Sequence, residues 1–251
     1  MTRKQWQVKA LRGGGIILDR SAMTHFKGKG QTIDVPIWFL AATDGKHKII
    51  IDTGIYEIDW VKNGPEPGCH QNPDEKTDNS VKKNMGWDAS EVDYVINTHL
   101  HYDHCGGNQY FTKATHIVQK VEWESAWNPI ESEKVFYNDM FFGRDAVNYF
   151  QWKFIEGEHE LLPGLILLPT PGHTRGHQSV LLDTIDGVLC VSGDICNVAE
   201  NINENLEPNI VVDTKQVYES FKEIRRRAHC ILPGHEPSIA DGTTRGFPKI
   251  R

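Results

Sequence analysis

Four side chains able to bind a metal ion, His99, His101, Asp103 and His104, fall within six consecutive positions of the run Thr98-His99-Leu100-His101-Tyr102-Asp103-His104-Cys105-Gly106-Gly107. Three more candidates follow in turn-rich segments: His173 after Thr170-Pro171-Gly172, Asp194 after Ser192-Gly193, and His235 after Pro233-Gly234. A tetrahedral zinc with an open catalytic position takes about three protein ligands, so seven candidates point to two ions. The economical division gives His99, His101 and His173 to one ion and Asp103, His104 and His235 to the other, with Asp194 bridging both. Imidazole and carboxylate together suit zinc, and also iron, manganese or cobalt. Two such ions ~3.5–4 Å apart can share a water whose pKa falls from about 16 towards about 7, which makes hydroxide available at neutral pH. That is hydrolytic chemistry. A histidine met alone is ordinarily a surface or packing residue; the clustering sets these apart.

The run Val92-Asp93-Tyr94-Val95-Ile96-Asn97 alternates apolar and polar residues, which places the cluster just past a strand end. In an extended chain His99, His101 and Asp103 project to one side, and His104 joins them only if the chain turns after Asp103. Gly106-Gly107 eases a following turn. Further strand-like runs cover 37–42, 48–52, 165–169, 179–182 and 187–192, and the clearest helix covers Thr214 to Ala228 with Asp213 as its N-cap. The fold is therefore mixed α and β. Asp52, at a strand end before Thr53-Gly54, is expected to hold a ligand imidazole or the loop backbone. Residues Trp60 to Asn84 are polar and turn-rich and read as a long exposed loop. The aromatic segment from Trp123 to Trp152 reads first as ordinary packing, with a cap, a substrate wall or a subunit interface as alternatives.

A chain of 251 residues without a Pro/Gly/Ser-rich linker, whose candidate ligands run from 99 to 235, reads as a single domain spanning 1–251. The net charge of -7 gives no general attraction to nucleic acid. The basic stretch from Lys222 to Arg227 is interleaved with Glu219 and Glu223 as on a solvated helix face. No apolar run reaches the ~18 residues of a membrane span, and the N-terminus lacks an apolar signal core. Five cysteines without regular spacing fit a reducing, cytoplasmic compartment. The expected partner is a small-molecule substrate, with no nucleic acid and no membrane; a homodimer stays open.

The H-x-H-x-D-H cluster, the T-P-G-H-T-x-G-H-x-S run from Thr170 to Ser179, Ser192-Gly193-Asp194, Pro233-Gly234-His235 and the upstream Ile51-Asp52-Thr53-Gly54 together resemble the metallo-β-lactamase-fold hydrolase superfamily over about residues 35 to 240. The resemblance implies an α/β (α+β) fold, a four-layer αβ/βα sandwich with the metals at one edge. Asp194 separates the chain from the zinc β-lactamases, and Tyr102-Asp103-His104-Cys105-Gly106-Gly107-Asn108 looks most like the quorum-quenching N-acyl homoserine lactonase and 4-pyridoxolactonase branch. By this resemblance the enzyme opens a small lactone through attack of a metal-bridging hydroxide on two divalent ions, zinc first among them. Asp103 would shuttle the proton while Asp194 bridges. Acyl-homoserine lactonases commonly carry a tyrosine three residues after that aspartate; Asn197 stands there in this chain and would donate to the developing oxyanion. His177 is expected as support and not as an eighth ligand.

Alternatives within the superfamily are a glyoxalase-II-type thioester hydrolase, a cyclic-amide hydrolase and a mononuclear iron persulfide dioxygenase using His99, His173 and Asp194. The glyoxalase form usually adds a helical glutathione-binding region, and only sixteen residues follow His235. A non-catalytic binding protein ranks last, because all seven ligand positions are filled.

Overall fold

In the computed structural model, which describes residues 5–56, 58–138, 150–239 and 242–250, the alternating apolar runs form two sheets. The first holds β1 (Gln7–Asp19), β2 (Thr32–Thr43), β3 (Lys48–Ile51), β4 (Cys69–His70), β5 (Tyr94–Ile96), β6 (Thr115–Gln119) and β7 (Gln151–Ile155), in the order β4-β1-β2-β3-β5-β6-β7. The second holds β8 (His159–Leu162), β9 (Leu165–Pro169), β10 (Gln178–Thr184), β11 (Gly187–Gly193) and β12 (Cys230–Pro233), in the order β12-β11-β10-β9-β8. The helices are α1 (Ile58–Asn63), α2 (Thr77–Met85), α3 (Tyr102–Cys105), α4 (Lys120–Trp127), α5 (Ala199–Glu204) and α6 (Thr214–Arg227).

The period of two along each strand decides the layering. Leu165 and Leu167 of β9, Val180 and Leu182 of β10, and Leu189 and Val191 of β11 pack in one buried cluster with Leu40, Ile49, Ile51 and Ile96 of the first sheet. The intervening residues Leu168, Leu181, Cys190 and Ile231 point the other way, onto Val217, Phe221 and Ile224 of α6. Phe39, Ile50 and Val95 likewise face Val81 of α2 and Trp87. Helix, sheet, sheet and helix follow in sequence, the four-layer sandwich. In α6 the spacing Val217, Phe221, Ile224 makes one apolar stripe, and the Asp213 carboxylate accepts from Gln216 N at 3.0 Å as N-cap. Each such side chain, fully buried, contributes about 1.5–3 kcal/mol.

Strand direction puts the loops where they can meet. β3 and β5 are parallel; β10 runs antiparallel to both β9 and β11, and β12 parallel to β11, so β9, β11 and β12 share one direction. The C-terminal ends of β3, β5, β9, β11 and β12 lead directly into Asp52, the histidine cluster, His173, Asp194 and His235.

The segment 60–84 departs from its reading as an exposed loop. It contains the end of α1, β4 and α2, and α2 buries Thr77, Ser80 and Val81. Of the aromatic segment, Phe136 and Tyr137 pack on the His101 ring and Trp123 on Trp152 and Phe154; Phe141, Phe142 and Tyr149 lie outside the described residues. No helix among the described residues is long and apolar enough to cross a membrane.

Candidate metal centre

The chain leaves β5 extended through His101 and then turns into α3 at Tyr102. The expected alternation therefore holds for His99 and His101 and fails at Asp103, which the helical turn carries to the side of His104. The result is two groups. His99, His101 and His173 each offer one atom, all within 4.8 Å of one another, and so do Asp103, His104, Asp194 and His235. Asp194 stands between them: Oδ1 is 3.2 Å from His104 Nε2, and Oδ2 is 3.2 Å from His235 Nε2 and 4.0 Å from His173 Nε2. Asp103 Oδ2 lies 3.7 Å from His104 Nε2 and 3.6 Å from His235 Nε2. All seven side chains are buried. Gly234 is required for this approach, since a Cβ there would stand 2.0 Å from Asp194 Oδ1.

The opposite ring nitrogens show which atoms face inward. Nδ1–H of His173 donates to Ile210 O (2.9 Å), that of His235 to Pro36 O (3.0 Å) and that of His104 to Asp52 Oδ2 (2.8 Å). His99 Nδ1 donates to Thr98 Oγ1 at 3.0 Å, and that hydroxyl donates to Asp52 Oδ2 at 2.8 Å. Each pattern turns Nε2 into the site, where the neutral ring offers a metal its lone pair. His101 is turned around, with Nδ1 3.2 Å from His173 Nε2. Nε2 of His99 and of His104 and Oδ1 of Asp194 are buried without a hydrogen-bond partner. Polar atoms converging without partners are costly in a protein interior, and divalent cations satisfy them once the rings are neutral. The donor set fits two such ions.

Electrostatics agrees. Burial, with the neighbouring imidazoles, pushes His99 and His101 well below the ordinary histidine value, and burial lowers His173 as well. These rings are neutral, the form that binds metal. In the second group burial is overcome by charge: Asp194, Asp103 and Asp52 hold His104 well above its ordinary value, and Asp194 raises His235. Asp194 in turn is held well below the carboxylate range by His104 and His235 despite its burial.

Two carboxylates brace the loops. Asp52, with a left-handed φ of 58°, accepts from Thr98 N at 2.7 Å besides Thr98 Oγ1 and His104 Nδ1, so it holds both the imidazole and the loop backbone. Glu122, in the first turn of α4, escaped the sequence reading. Its Oε1 accepts from Leu100 N (3.0 Å) and Tyr137 Oη (3.1 Å), its Oε2 from Thr174 Oγ1 (2.6 Å) and Gly176 N (3.2 Å). It thus ties the loop of His99 and His101 to that of His173. An acid in a first helical turn ordinarily reads as a solvated residue complementing the dipole, and no spacing distinguishes this one. Gly176 admits the contact: a Cβ there would meet Glu122 N at 2.0 Å. His177 lies beside the first group, with Nδ1 3.0 Å from Thr170 Oγ1 and ring centroids 5.2 Å from His99.

Asn197 lines the cleft over the groups, but its Nδ2 is directed at Met23 O (3.3 Å) and Ala22 O (3.4 Å), and its Oδ1 is buried without a partner. It offers an acceptor, not the oxyanion donor expected from the sequence. The cleft, about 480 Å³ with its open mouth, is walled by Ile16, Leu18, Ala22, Met23, Tyr102 and Phe136 and also holds Glu66.

Comparison with known proteins places this arrangement. An N-acyl homoserine lactonase of Bacillus sp is 30% identical over 220 residues, covering 84% of each chain. One of Rhizobium johnstonii is 27% identical over 238 residues, covering 84% of this chain and 86% of the relative. A solved N-acyl homoserine lactone hydrolase, with the product N-hexanoyl-L-homoserine at its catalytic metal center, superposes with a TM-score of 0.79 at 27% identity over 94% of this chain and 95% of that one. The Metallo-beta-lactamase superfamily model matches residues 33–235, which include all seven clustered side chains, and the chain belongs to that superfamily.

Proposed function

We propose that this protein is a binuclear metallohydrolase that opens a small lactone to its hydroxy acid. The observation that carries the reading is the Asp194 carboxylate between two buried groups, with Nε2 of His99, His101 and His104 and its own Oδ1 left without hydrogen-bond partners; the lactonase relatives supply the scissile bond. In this reading His99, His101 and His173 would hold one ion and Asp103, His104 and His235 the other, with the Asp194 carboxylate available to both. When bound, two divalent cations, zinc in our reading, supply water activated at neutral pH and polarise the ester carbonyl. Asp103 takes the proton from the attacking water and returns it to the ring oxygen as the acyl C–O bond breaks. Tyr102, Phe136 and Met23 exclude water around the ring. Residues 1–251 act as one domain, and cysteines that are all buried and free suit the cytoplasm.

The test is anaerobic proton release by zinc-reconstituted protein against homoserine, γ-, δ- and aromatic lactones, with a thioester and a lactam as controls. Turnover confined to lactones is expected. Turnover of the thioester or lactam alone retires the reading. Asp103→Asn and Asp194→Asn should each lower kcat about 100-fold or more with the fold kept, and full activity in both would refute the binuclear mechanism.

A further inference from the structure

Glu66 is a carboxylate in the cleft that the hydrolytic reading does not use. Its turn, between α1 and β4, is pinned by backbone bonds from Glu66 N to Val61 O (3.0 Å) and from Cys69 N to Glu66 O (3.1 Å). The half-buried side chain lies near Gly68, and among the described residues no lysine or arginine pairs with it. Across the same cleft Asn197 keeps its donors on Ala22 and Met23 and leaves Oδ1 buried and unpartnered. Apart from the clustered ligand side chains, the polar wall therefore presents acceptors, one of them charged. A partly desolvated acceptor without a donor is unfavourable until a ligand brings one, and an anionic group placed there meets like charge.

We propose that Glu66 is a specificity-determining residue that receives an ammonium or amide N–H on the substituent of the lactone ring and turns away lactones with an anionic substituent. The ring rests on the lactonase reading; the substituent rests on Glu66 and Asn197.

The experiment compares zinc-loaded wild type with Glu66→Gln, which keeps the size and an acceptor oxygen but removes the charge. For homoserine lactone, which carries an amine, kcat/KM should fall about tenfold or more, through KM. γ-Caprolactone, which has no donor, should change less than about twofold, and γ-carboxy-γ-butyrolactone should improve. An equal loss on all three shows a structural role and overturns the proposal, as does an unchanged preference. Calorimetric binding of α-amino-γ-butyrolactam and of γ-butyrolactam is measured in parallel. Wild type should prefer the amino lactam, and Glu66→Gln should lose that preference; no preference in wild type also overturns the proposal. If no lactone is opened by either protein, the lactonase reading fails while the lactam pair still decides the role of Glu66.

Discussion

Replacing Glu122 by glutamine tests how the site is assembled. The carboxylate accepts four hydrogen bonds, from Leu100 N, Tyr137 Oη, Thr174 Oγ1 and Gly176 N. Hydrogen bonds to a charged group are worth about 1.5–3 kcal/mol each. A glutamine amide keeps one oxygen, and its NH2 must face either the Leu100 or the Gly176 peptide N–H. The hydroxyl of Tyr137 or Thr174 can rotate to accept from it, but a peptide N–H cannot. One bond is lost outright and donor meets donor, while relief from burying a charge offsets part. The expected destabilisation is about 2–4 kcal/mol by urea unfolding. Leu100 lies between His99 and His101, and Thr174 follows His173, so zinc affinity should fall about 10–100-fold at that group and stay unchanged at the group of His104 and His235. Chelator competition measures both affinities. Thr174→Val, which removes a single bond, should show the same selectivity at about 1 kcal/mol and serves if Glu122→Gln does not fold. Equal weakening of both sites, or no weakening of either, refutes the reasoning.

His116 is fully buried, donates to Phe111 O, and is pushed down to about 4 by burial. Its unfolded form takes up a proton below about 6.5 and the folded form does not until about 4, so it supports stability above pH 6.5 and loses that support as pH falls between the two. The loss is about 3 kcal/mol. His116→Gln should flatten the stability profile in that window relative to wild type, and an unchanged slope in urea melts speaks against it. Gly234→Ala places a Cβ 2.0 Å from Asp194 Oδ1, so the carboxylate must leave its position between the groups; metal content by elemental analysis and turnover should both drop, and retention of both counts against the bridging role. Cations entering the second group displace protons held by His104 and His235. Zinc binding to stripped protein should therefore release protons and tighten as pH rises, which calorimetry in buffers of different ionisation enthalpy will show or refute.

The amino-acid sequence by itself determined the donors and the main strands. His99, His101, Asp103 and His104 are close neighbours along the chain, so their proximity needs no tertiary information, and the apolar runs at 165–169, 179–182 and 187–192 are a local property that already marks buried strands. What escaped it depends on distant partners. The segment 60–84 lacks apolar periodicity because two of the three side chains that α2 buries, Thr77 and Ser80, are hydroxyl residues. Asp103 left the face expected of it because α3 begins at Tyr102, stabilised in part by a bond from Tyr102 N to Phe136 O. Glu122 meets Thr174, and Asp52 meets His104, across 52 positions each. Asn197 became an acceptor only because carbonyls of Ala22 and Met23, 175 and 174 positions away, take its donors. Residue type sets which atoms can donate or accept, and only the packed chain decides which of those atoms are already spent on the protein and which remain for metal and substrate.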